Sequence, residues 1–465
     1  DGAPLDDLAL WAVPARGRML LRELRTFATV AATDYADNGP PGYSPLGSGR
    51  GGLEVAGFAI SDETAAAIEQ LDLAAASVPP SSGRRVLLLG RDGIDPDERL
   101  RARFADSGVE VTVAPGRGYA EMMTHPQFAR TPREELVRVV SWFERAPAEA
   151  ADASRRPRVS VTALQTAELR AGGIPILERP LAFEHAGIAL RGVLTEPRPT
   201  LAAAPQTCAV LLSAGAIRRI GPNRMWVETA RRWAARGIPT VRLDVKGVGD
   251  ADGDESRYLE TAQFYRPELT EQVLAALDGL VAQGLPGRFV LGGLCSGAYW
   301  ALHAALADQR VVGLQLVNLH SFFWNELDVS SRNLRLAGAY LRERRWREMV
   351  RIAASERRIA RTVRAQLRAA IDPSVRNARK PGGDRVDRAL DELRDRGVET
   401  LLLFSEGEPL EDSLSRTGRL ERLPSWPNLR LERIPIKDHT FRAAWAQRRA
   451  SEILDAALAR SLAGS

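Results

Sequence analysis

Short apolar runs alternate with helical segments from about residue 174 to the end of the chain, and this alternation constrains the fold most strongly. The apolar runs are 207–212, 240–243, 288–291, 311–317, 398–404 and 429–436. The helical segments are 224–236, 267–283, 295–306 and 442–460, of which the first two are followed by glycine. Parallel strands need such crossover helices, which bury both faces of the sheet. The sequence therefore predicts an α/β fold, with helices covering both faces of a mostly parallel sheet.

Two segments depart from this alternation. Residues 180–184 and 188–195 flank a His-Ala-Gly turn, which predicts an antiparallel hairpin ahead of the parallel strands. A long Arg-rich insertion, residues 325–397, separates the runs 311–317 and 398–404. Because its Ala and Leu residues recur at helical spacing, we expect this insertion to form several helices outside the sheet.

The run 288–291 leads into Gly292-Gly293-Leu294-Cys295-Ser296-Gly297, after which a helical segment continues. Glycines two residues before and after a nucleophilic side chain, between a strand and a helix, are typical of a nucleophile elbow. The start of the helix favours an anion and lowers a thiol pKa, so Cys295 is the candidate nucleophile. The alternative is an ordinary strand-to-helix turn in which Cys295 is merely a buried cysteine. For Cys208, which lies within an apolar run, we expect a core role.

An acidic residue and a histidine follow the last two strands in the chain order that a catalytic triad on such an elbow requires. Run 398–404 is followed by Ser-Glu-Gly-Glu-Pro, which resembles the Gly-x-x-Asp-Pro strand end of elbow hydrolases. This match places the acid at Glu408, with Glu406 as the fallback. The chain has five histidines, and His439 directly follows the last strand. Each segment alone fits a solvated loop, but together with Cys295 they predict a Cys295–His439–Glu408 triad.

Each predicted site residue has a distinct chemical task. Cys295 would attack a carbonyl carbon as a thiolate, His439 would carry the proton, and Glu408 would hold the imidazole tautomer. The tetrahedral oxyanion then needs backbone N–H donors. We expect these from Ser296, which follows the nucleophile, and from Ala216, in the loop after the run 207–212.

Two strings identify residues 174–465 as similar to a known family. Gly-Pro-Asn-Arg at 221–224 and Asp-Val-Lys-Gly-Val-Gly-Asp-Ala-Asp-Gly at 244–253 resemble α/β-hydrolases of the serine-aminopeptidase-like type, especially exosortase-A-system-associated hydrolases. The resemblance implies an α/β-hydrolase domain with a helical lid at 325–397, and cleavage of an ester, thioester or amide through a covalent acyl-Cys intermediate. We expect no cofactor and no metal site. Family members usually carry Ser where this chain has Cys295.

The N-terminal region resembles the later strands of the same fold. Residues 8–14 look like the strand after the elbow, 85–95 like the acid-bearing strand end, and 109–119 like the strand leading to the histidine. We therefore expect residues 1–146 to be the C-terminal half of a degenerate hydrolase-like domain, completed by an upstream segment if one exists. Residues 147–173, rich in Ala, Arg and Ser, are expected to be a linker.

The net charge of +5 is unevenly distributed. Residues 331–380 carry 15 basic and 4 acidic side chains, so this segment is strongly positive and the rest of the chain is slightly negative. The excess lies inside the expected lid, where it would attract an anionic or carrier-bound small-molecule acyl substrate. A solvated helical face is the alternative interpretation. The overall charge is too small to indicate nucleic acid as a partner.

Other classes of protein are excluded by composition. Two cysteines rule out a disulfide framework and a Cys-rich zinc site, and a reducing cytoplasmic location is expected. No apolar run approaches the length of a membrane span, and no signal peptide opens the chain. Gly247-Val248-Gly249 lacks the third glycine of a dinucleotide-binding loop.

Two other functions stay open at this stage. An acyltransferase would use the same acyl-enzyme but pass the acyl group to an amine or alcohol. A binding or scaffold protein could keep the hydrolase fold without catalysis. The oligomeric state is not predicted.

Overall fold

The computed structural model describes residues 7–32, 39, 52–55, 57–76, 84–123, 130–145, 166–198, 206–215, 217–254, 258, 261–324 and 383–463. The chain divides into two compact units, Asp1–Ala163 and Leu164–Ser465. Each unit has its own sheet and its own core, and each is described separately below.

The first unit is built on a three-stranded parallel sheet in the order β1-β4-β5. Its strands are β1 (Asp7–Trp11), β2 (Leu53–Val55), β3 (Phe58–Ile60), β4 (Arg85–Leu89) and β5 (Glu110–Ala114), of which β2 and β3 form a separate hairpin. Its helices are α1 (Gly17–Ala32), α2 (Asp62–Gln70), α3 (Glu98–Asp106), α4 (Tyr119–Met122) and α5 (Arg133–Glu144).

The central strand of this small sheet is buried on both faces. Alternate residues of β4 pack into two clusters, one around Phe104 of α3 and the other around Trp142 of α5. The buried Arg85 is compensated by an ion pair with Asp7 at 2.6 Å. That residues 1–146 are half of a degenerate hydrolase-like domain stays a prediction.

The second unit contains a nine-stranded sheet in the order β14-β13-β12-β11-β9-β10-β8-β7-β6. The strands are β6 (Ala167–Ala171), β7 (Ile174–His185), β8 (Ile188–Pro197), β9 (Cys208–Leu212), β10 (Thr240–Asp244), β11 (Phe289–Leu294), β12 (Val311–Val317), β13 (Glu399–Ser405) and β14 (Leu429–Ile434). The helices are α6 (Met225–Ala235), α7 (Pro267–Ala282), α8 (Ser296–Ala307), α9 (Gly383–Asp395), α10 (Pro409–Arg416) and α11 (Ala444–Ala463).

Strands β9 to β14 run parallel, whereas β6, β7 and β8 pair in antiparallel fashion. Strand β9 lies between β10 and β11, so the direction in which the chain winds along the sheet reverses at this point. The carboxyl ends of parallel strands meet at one edge of a sheet, and ligands bind such sheets at this edge. The predicted α/β-hydrolase fold is confirmed for this unit by its mostly parallel sheet with helical crossovers.

The predicted linker, residues 147–173, is wrong at its C-terminal end. Strand β6 lies inside this stretch and pairs with the first residues of β7 through a turn at Gly172 and Gly173, which both have positive φ. Strand β6 is an edge strand with alternating charged residues, so its own sequence carries little strand propensity. Pairing with β7, rather than local preference, makes it a strand.

The core of the second unit lies between the sheet and the helices packed on it. The five residues of β9 are fully buried, as are most of those of α8 directly behind the central strands. Cys208 is 0% exposed, so the predicted core role of this cysteine is confirmed.

Most of the expected lid, residues 325–397, lies outside the described residues. These outside residues include all of the basic segment 331–380. The described part, residues 383–397, contains α9, which buries Ala389, Leu390 and Leu393 against the unit. None of the helices in the described part of the chain combines the length and apolar character needed to span a membrane.

Candidate active site

Cys295 lies at the sharp turn between β11 and α8. Its backbone has φ 56° and ψ −112°, a strained conformation that non-glycine residues adopt rarely and that clusters at functional sites. The N–H of Cys295 donates to the carbonyl of Val317 at 2.9 Å, which fixes the turn to the neighbouring strand. The side chain of Cys295 is thereby held at the carboxyl edge of the sheet, at the start of α8.

The two glycines that flank Cys295 are required by close backbone contacts. A Cβ at Gly293 would lie 2.2 Å from the carbonyl carbon of Gly297, and one at Gly297 would lie 2.5 Å from the Leu212 carbonyl oxygen. Neither backbone can accommodate a methyl group at these distances. The Gly-x-Cys-x-Gly spacing is therefore a direct consequence of how tightly α8 packs on β9 and β11.

Glu408 lies in the loop between β13 and α10, and its carboxylate is buried. One of its oxygens, Oε1, is 2.7 Å from Nδ1 of His439 and accepts a hydrogen bond from the Ser405 hydroxyl at 2.9 Å. Glu406, the fallback acid, is exposed, and its backbone N–H donates to the carbonyl of Ile436. The structure thus brings Glu408, and not Glu406, to the histidine.

His439 lies in the loop between β14 and α11, and buried Asn318 holds this loop in place. The Asn318 side chain donates to the His439 carbonyl at 2.7 Å and accepts from the Ser405 N–H at 2.7 Å. Asp438 closes the same loop by accepting hydrogen bonds from the N–H groups of Thr440 and Arg442. The strand ends of β12, β13 and β14 are therefore joined at the site.

Cys295, His439 and Glu408 form one electrostatically connected group. Burial alone would raise the pKa of Cys295, but the hydrogen bond and positive charge of His439, helped by the Tyr265 hydroxyl, lower this pKa below its ordinary value. Burial would lower the pKa of His439, but hydrogen bonds to Cys295 and Glu408 raise it to about 10. At neutral pH these directions favour a thiolate beside an imidazolium.

The second cysteine shows the opposite behaviour. Burial strongly raises the pKa of Cys208, which lies within β9 among apolar side chains. A thiol in this environment stays protonated and unreactive at neutral pH. The two cysteines of the chain are therefore chemically distinct because of their surroundings.

The structure describes one of the two predicted oxyanion donors, Ser296. Ser296 is the first residue of α8, where backbone N–H groups have no partner within the helix. Its hydroxyl oxygen accepts a hydrogen bond from the Gly215 N–H at 2.7 Å, which ties the loop after β9 to the elbow. Ala216, the other predicted donor, lies outside the described residues.

Buried Asp244, at the end of β10, anchors the same loop. Its carboxylate accepts hydrogen bonds from the Arg219 N–H at 2.5 Å and the Asp250 N–H at 3.1 Å, and it pairs with the Arg219 guanidinium. A Cβ at Gly249 would lie 2.2 Å from this carboxylate. Gly249 therefore lets the backbone turn tightly around the Asp244 carboxylate, where a side chain would not fit.

An aromatic cluster flanks the nucleophile. The Tyr265 hydroxyl oxygen lies 4.0 Å from the Cys295 sulphur. The Tyr265 ring stacks on Trp324 at a centroid distance of 3.8 Å and meets Tyr299 edge-on at 5.0 Å. His320 lies against the same cluster, 5.9 Å from Trp324 between ring centroids.

Sequence reasoning missed Asn318, Asp244 and Tyr265. Asn318 could have been found by position, because it directly follows the strand at 311–317 and so lies at the same sheet edge as the triad. Tyr265 ends a short 3₁₀ turn, Thr261–Tyr265, between β10 and α7, and nothing in its local sequence indicates proximity to Cys295.

The part of the chain that the structure describes holds no group of three or more His, Cys, Asp or Glu side chains arranged to bind a metal ion.

Comparisons with known proteins give matches among solved structures only. No family model matches the chain, and no curated protein matches it. A proline iminopeptidase from Mycobacterium smegmatis has 14% identity and a TM-score of 0.41, over 62% of this chain and 100% of the other. A cold-adapted esterase from an Arctic intertidal metagenomic library has 15% identity and a TM-score of 0.38, over 62% and 97%.

A third structure is the thioesterase domain from the curacin biosynthetic pathway, with 17% identity and a TM-score of 0.33, over 60% of this chain and 99% of that domain. All three are similar to this chain in fold alone. The strand order of the second unit and the backbone of its elbow carry the fold assignment: this unit has the α/β-hydrolase fold.

Proposed function

We propose that this protein is a hydrolase that cleaves an ester, thioester or amide of a small-molecule acyl substrate through a covalent acyl-Cys295 intermediate. One observation carries the proposal. The residue at the strained elbow, Cys295, shares a hydrogen-bonded chain with His439 and with the buried carboxylate of Glu408. This is the constellation of nucleophile, base and orienting acid that acyl transfer requires.

In the acylation step, the Cys295 thiolate adds to the substrate carbonyl carbon and the carbonyl electron pair moves onto oxygen. The Ser296 N–H and a second donor, for which we propose Ala216, stabilise this oxyanion. The electron pair then returns and the bond to the leaving group breaks. The His439 imidazolium gives its proton to the leaving group, which departs neutral, and Cys295 is left as a thioester.

In the deacylation step, neutral His439 takes a proton from water while the oxygen adds to the thioester carbonyl. Collapse of the second oxyanion releases the acid and restores the thiolate beside the imidazolium. Glu408 stabilises the imidazolium in both steps and keeps the ring oriented through Nδ1. The carboxylate of Glu408 is 8% exposed and the side chain of His439 is 37% exposed, which suits an inner and an outer member of the triad.

Transfer to an amine or alcohol instead of water is the second candidate, and the identity of the nucleophile favours considering it. Cys295 would form a thioester, an acyl group activated toward amines. Product analysis separates the two outcomes: with a thioester substrate and an added amine, a hydrolase releases the free acid and an acyltransferase releases the amide.

The class of substrate is a further part of the proposal. The positive charge of residues 331–380 would favour an anionic or carrier-bound acyl group. Reversing Arg342, Arg344, Arg345 and Arg347 should then raise KM for such a substrate, and the increase should shrink at high salt. If KM does not change in these variants, the alternative interpretation remains, in which the charges are solvated and do not act on the substrate.

The decisive experiment is mass spectrometry of the protein after incubation with a panel of acyl thioesters and activated esters. We expect an acyl adduct on Cys295 in the wild type and none in Cys295→Ala, which should also lose turnover. Cys208→Ala is the matched control, and it should keep both adduct and turnover because Cys208 is buried in β9. Turnover that survives in Cys295→Ala would contradict the proposal, and the absence of any adduct across the panel would favour a non-catalytic role.

A further inference from the structure

Tyr265 places a hydroxyl group beside the nucleophile from an element that contributes nothing to the triad. It ends the 3₁₀ turn just before α7 and is 6% exposed. Its hydroxyl oxygen lies 4.0 Å from the Cys295 sulphur, the outer limit for a hydrogen bond to sulphur. Because a thiolate has no proton to give, the hydroxyl is the donor whenever Cys295 is ionised.

Packing fixes the position of this hydroxyl. One face of the Tyr265 ring is stacked on Trp324 with an angle of 9° between the planes, and Tyr299 meets the ring at 83°. Rotation of a phenol about its own axis leaves the oxygen in place. The donor is therefore held against Cys295 before any substrate arrives, so little ordering is needed in the reaction.

Three titratable groups act on the Cys295 sulphur, each from a different element. His439, from the loop after β14, stabilises the thiolate by its hydrogen bond and charge. Glu408, from the loop after β13, opposes ionisation by its negative charge. Tyr265 favours ionisation as a neutral donor, so it stabilises the anion without competing for the carboxylate that orients His439.

We propose that Tyr265 is a catalytic residue that donates its hydroxyl hydrogen bond to the Cys295 thiolate and stabilises the nucleophile in its ionised form. This inference rests on the proposed role of Cys295 as the nucleophile. No proton leaves Tyr265 at any step. As the sulphur attacks and its charge passes to the substrate oxygen, the hydrogen bond weakens.

This role makes a specific demand on pH dependence. A stabilised thiolate is present at lower pH but is intrinsically less nucleophilic. Removing the hydroxyl should therefore lower the reaction rate of Cys295 only at pH values where the thiol becomes protonated. At high pH the rate should equal or exceed that of the wild type. A ring that serves for packing alone would change reactivity equally at all pH values.

The experiment measures the alkylation rate of Cys295 by iodoacetamide between pH 4 and 10, with the modified residue located by mass spectrometry. The midpoint is the pH at which the alkylation rate reaches half of its high-pH value. In Tyr265→Phe this midpoint should rise by about one pH unit, which makes alkylation roughly tenfold slower than in the wild type at pH values below the midpoints of both proteins. Tyr299→Phe is the matched control. It removes a hydroxyl from the same cluster, one that is bonded to the backbone of Trp324, and should reproduce the wild-type curve.

A second variant separates the hydroxyl from the ring. Tyr265→Leu lacks both, and its midpoint should match that of Tyr265→Phe if the hydroxyl alone sets it. An unchanged midpoint in Tyr265→Phe overturns the inference. So does a rate reduced equally at every pH, or a midpoint shift that appears only in Tyr265→Leu.

Alkylation needs no substrate, so this test and the test of the proposed function fail independently. If Tyr265→Phe leaves the midpoint unchanged while the wild type forms an acyl adduct, the inference is wrong and the hydrolase proposal stands. If the midpoint shifts but no acyl adduct forms, Tyr265 activates a thiol whose reaction is something other than acyl transfer.

Discussion

At the scale of single residues, the reactivity of a thiol is decided by what surrounds it. Cys208 lies in β9, and Cys295 directly follows the neighbouring strand β11. Their pKa values nevertheless shift in opposite directions. Cys208 lies among apolar side chains and feels the negative charge of Glu196, whereas Cys295 has an imidazolium and a phenol beside it. Desolvation acts to raise the pKa of both thiols, so the partner groups account for the opposite directions.

The two neighbouring glutamates after β13 allow a matched test of the acid. Glu408→Gln keeps the shape of the side chain but removes the charge that stabilises the His439 imidazolium, so kcat/KM should fall by roughly 10²–10⁴-fold. Glu406→Gln, two residues away on an exposed side chain, should stay near the wild type. Steady-state kinetics on the substrate found by the acylation screen make the comparison. Equal losses in the two variants would argue against Glu408 as the acid.

At the scale of elements, the site depends on how strand ends and turns are joined. The triad residues come from three separate loops, after β11, β13 and β14. Backbone contacts at the elbow and the side chain of Asn318 hold these loops together. Changes in these supports should therefore affect function or stability without touching a triad residue.

The elbow glycines should be sensitive to a single added methyl group. In Gly293→Ala the new Cβ would overlap the backbone of Gly297, so the free energy of unfolding should fall by about 1–3 kcal/mol or more. The Tm should decrease by several degrees, since each kcal/mol shifts Tm by roughly 2–4 °C in a domain of this size. Gly287→Ala is the control, because its Cβ would meet only the Val281 side chain at 3.9 Å. Thermal unfolding that does not distinguish the variants would count against the tight elbow.

Asn318 offers a second test at this scale. Asn318→Asp keeps the acceptor for the Ser405 N–H but replaces the donor to His439 with a carboxylate that repels the carbonyl oxygen. We expect the His439 loop to shift and kcat to fall roughly 10- to 100-fold. Asn428→Asp is the control, because Asn428 also donates to a loop carbonyl, that of Val398, but at the opposite end of β13. It should lower Tm and leave kcat intact, and equal kcat values for the two variants would contradict this role of Asn318.

At the scale of the whole molecule, all the groups of the proposed mechanism lie in the second unit. Cys295, His439, Glu408 and Tyr265 belong to Leu164–Ser465, which has a core of its own. The first unit has a separate three-stranded sheet and supplies none of these residues.

Residues 164–465 produced alone should therefore fold and keep the reactive thiol. We expect the alkylation profile of Cys295 in this fragment to match that of the full chain, because each group acting on the sulphur is retained. Circular dichroism and site-resolved alkylation measure the outcome. An aggregated fragment, or one in which Cys295 reacts like an ordinary thiol, would show that the first unit is needed for the site.

Local patterns were sufficient for much of the fold. The parallel strands were predicted from their apolar runs, and four of the helices from their apolar period, two of them with a glycine after the last turn. Strand β6 was missed because it is short and its Ala and Glu residues have low strand propensity, so only its pairing with β7 makes it a strand. The choice of Glu408 over Glu406 could be argued from a neighbouring proline, but burial and contact with His439 distinguish them physically.

The sequence by itself determined the order of the parallel strands, the glycines that a tight elbow needs, and the three residue types of the proposed triad. These features are local, since each depends on spacing over a few residues. Only the tertiary structure decided that Tyr265 meets the nucleophile and that the side chain of Asn318 joins the His439 loop to the end of β13. These contacts join segments that are far apart in the chain, and they arise because parallel strands end at one edge of the sheet.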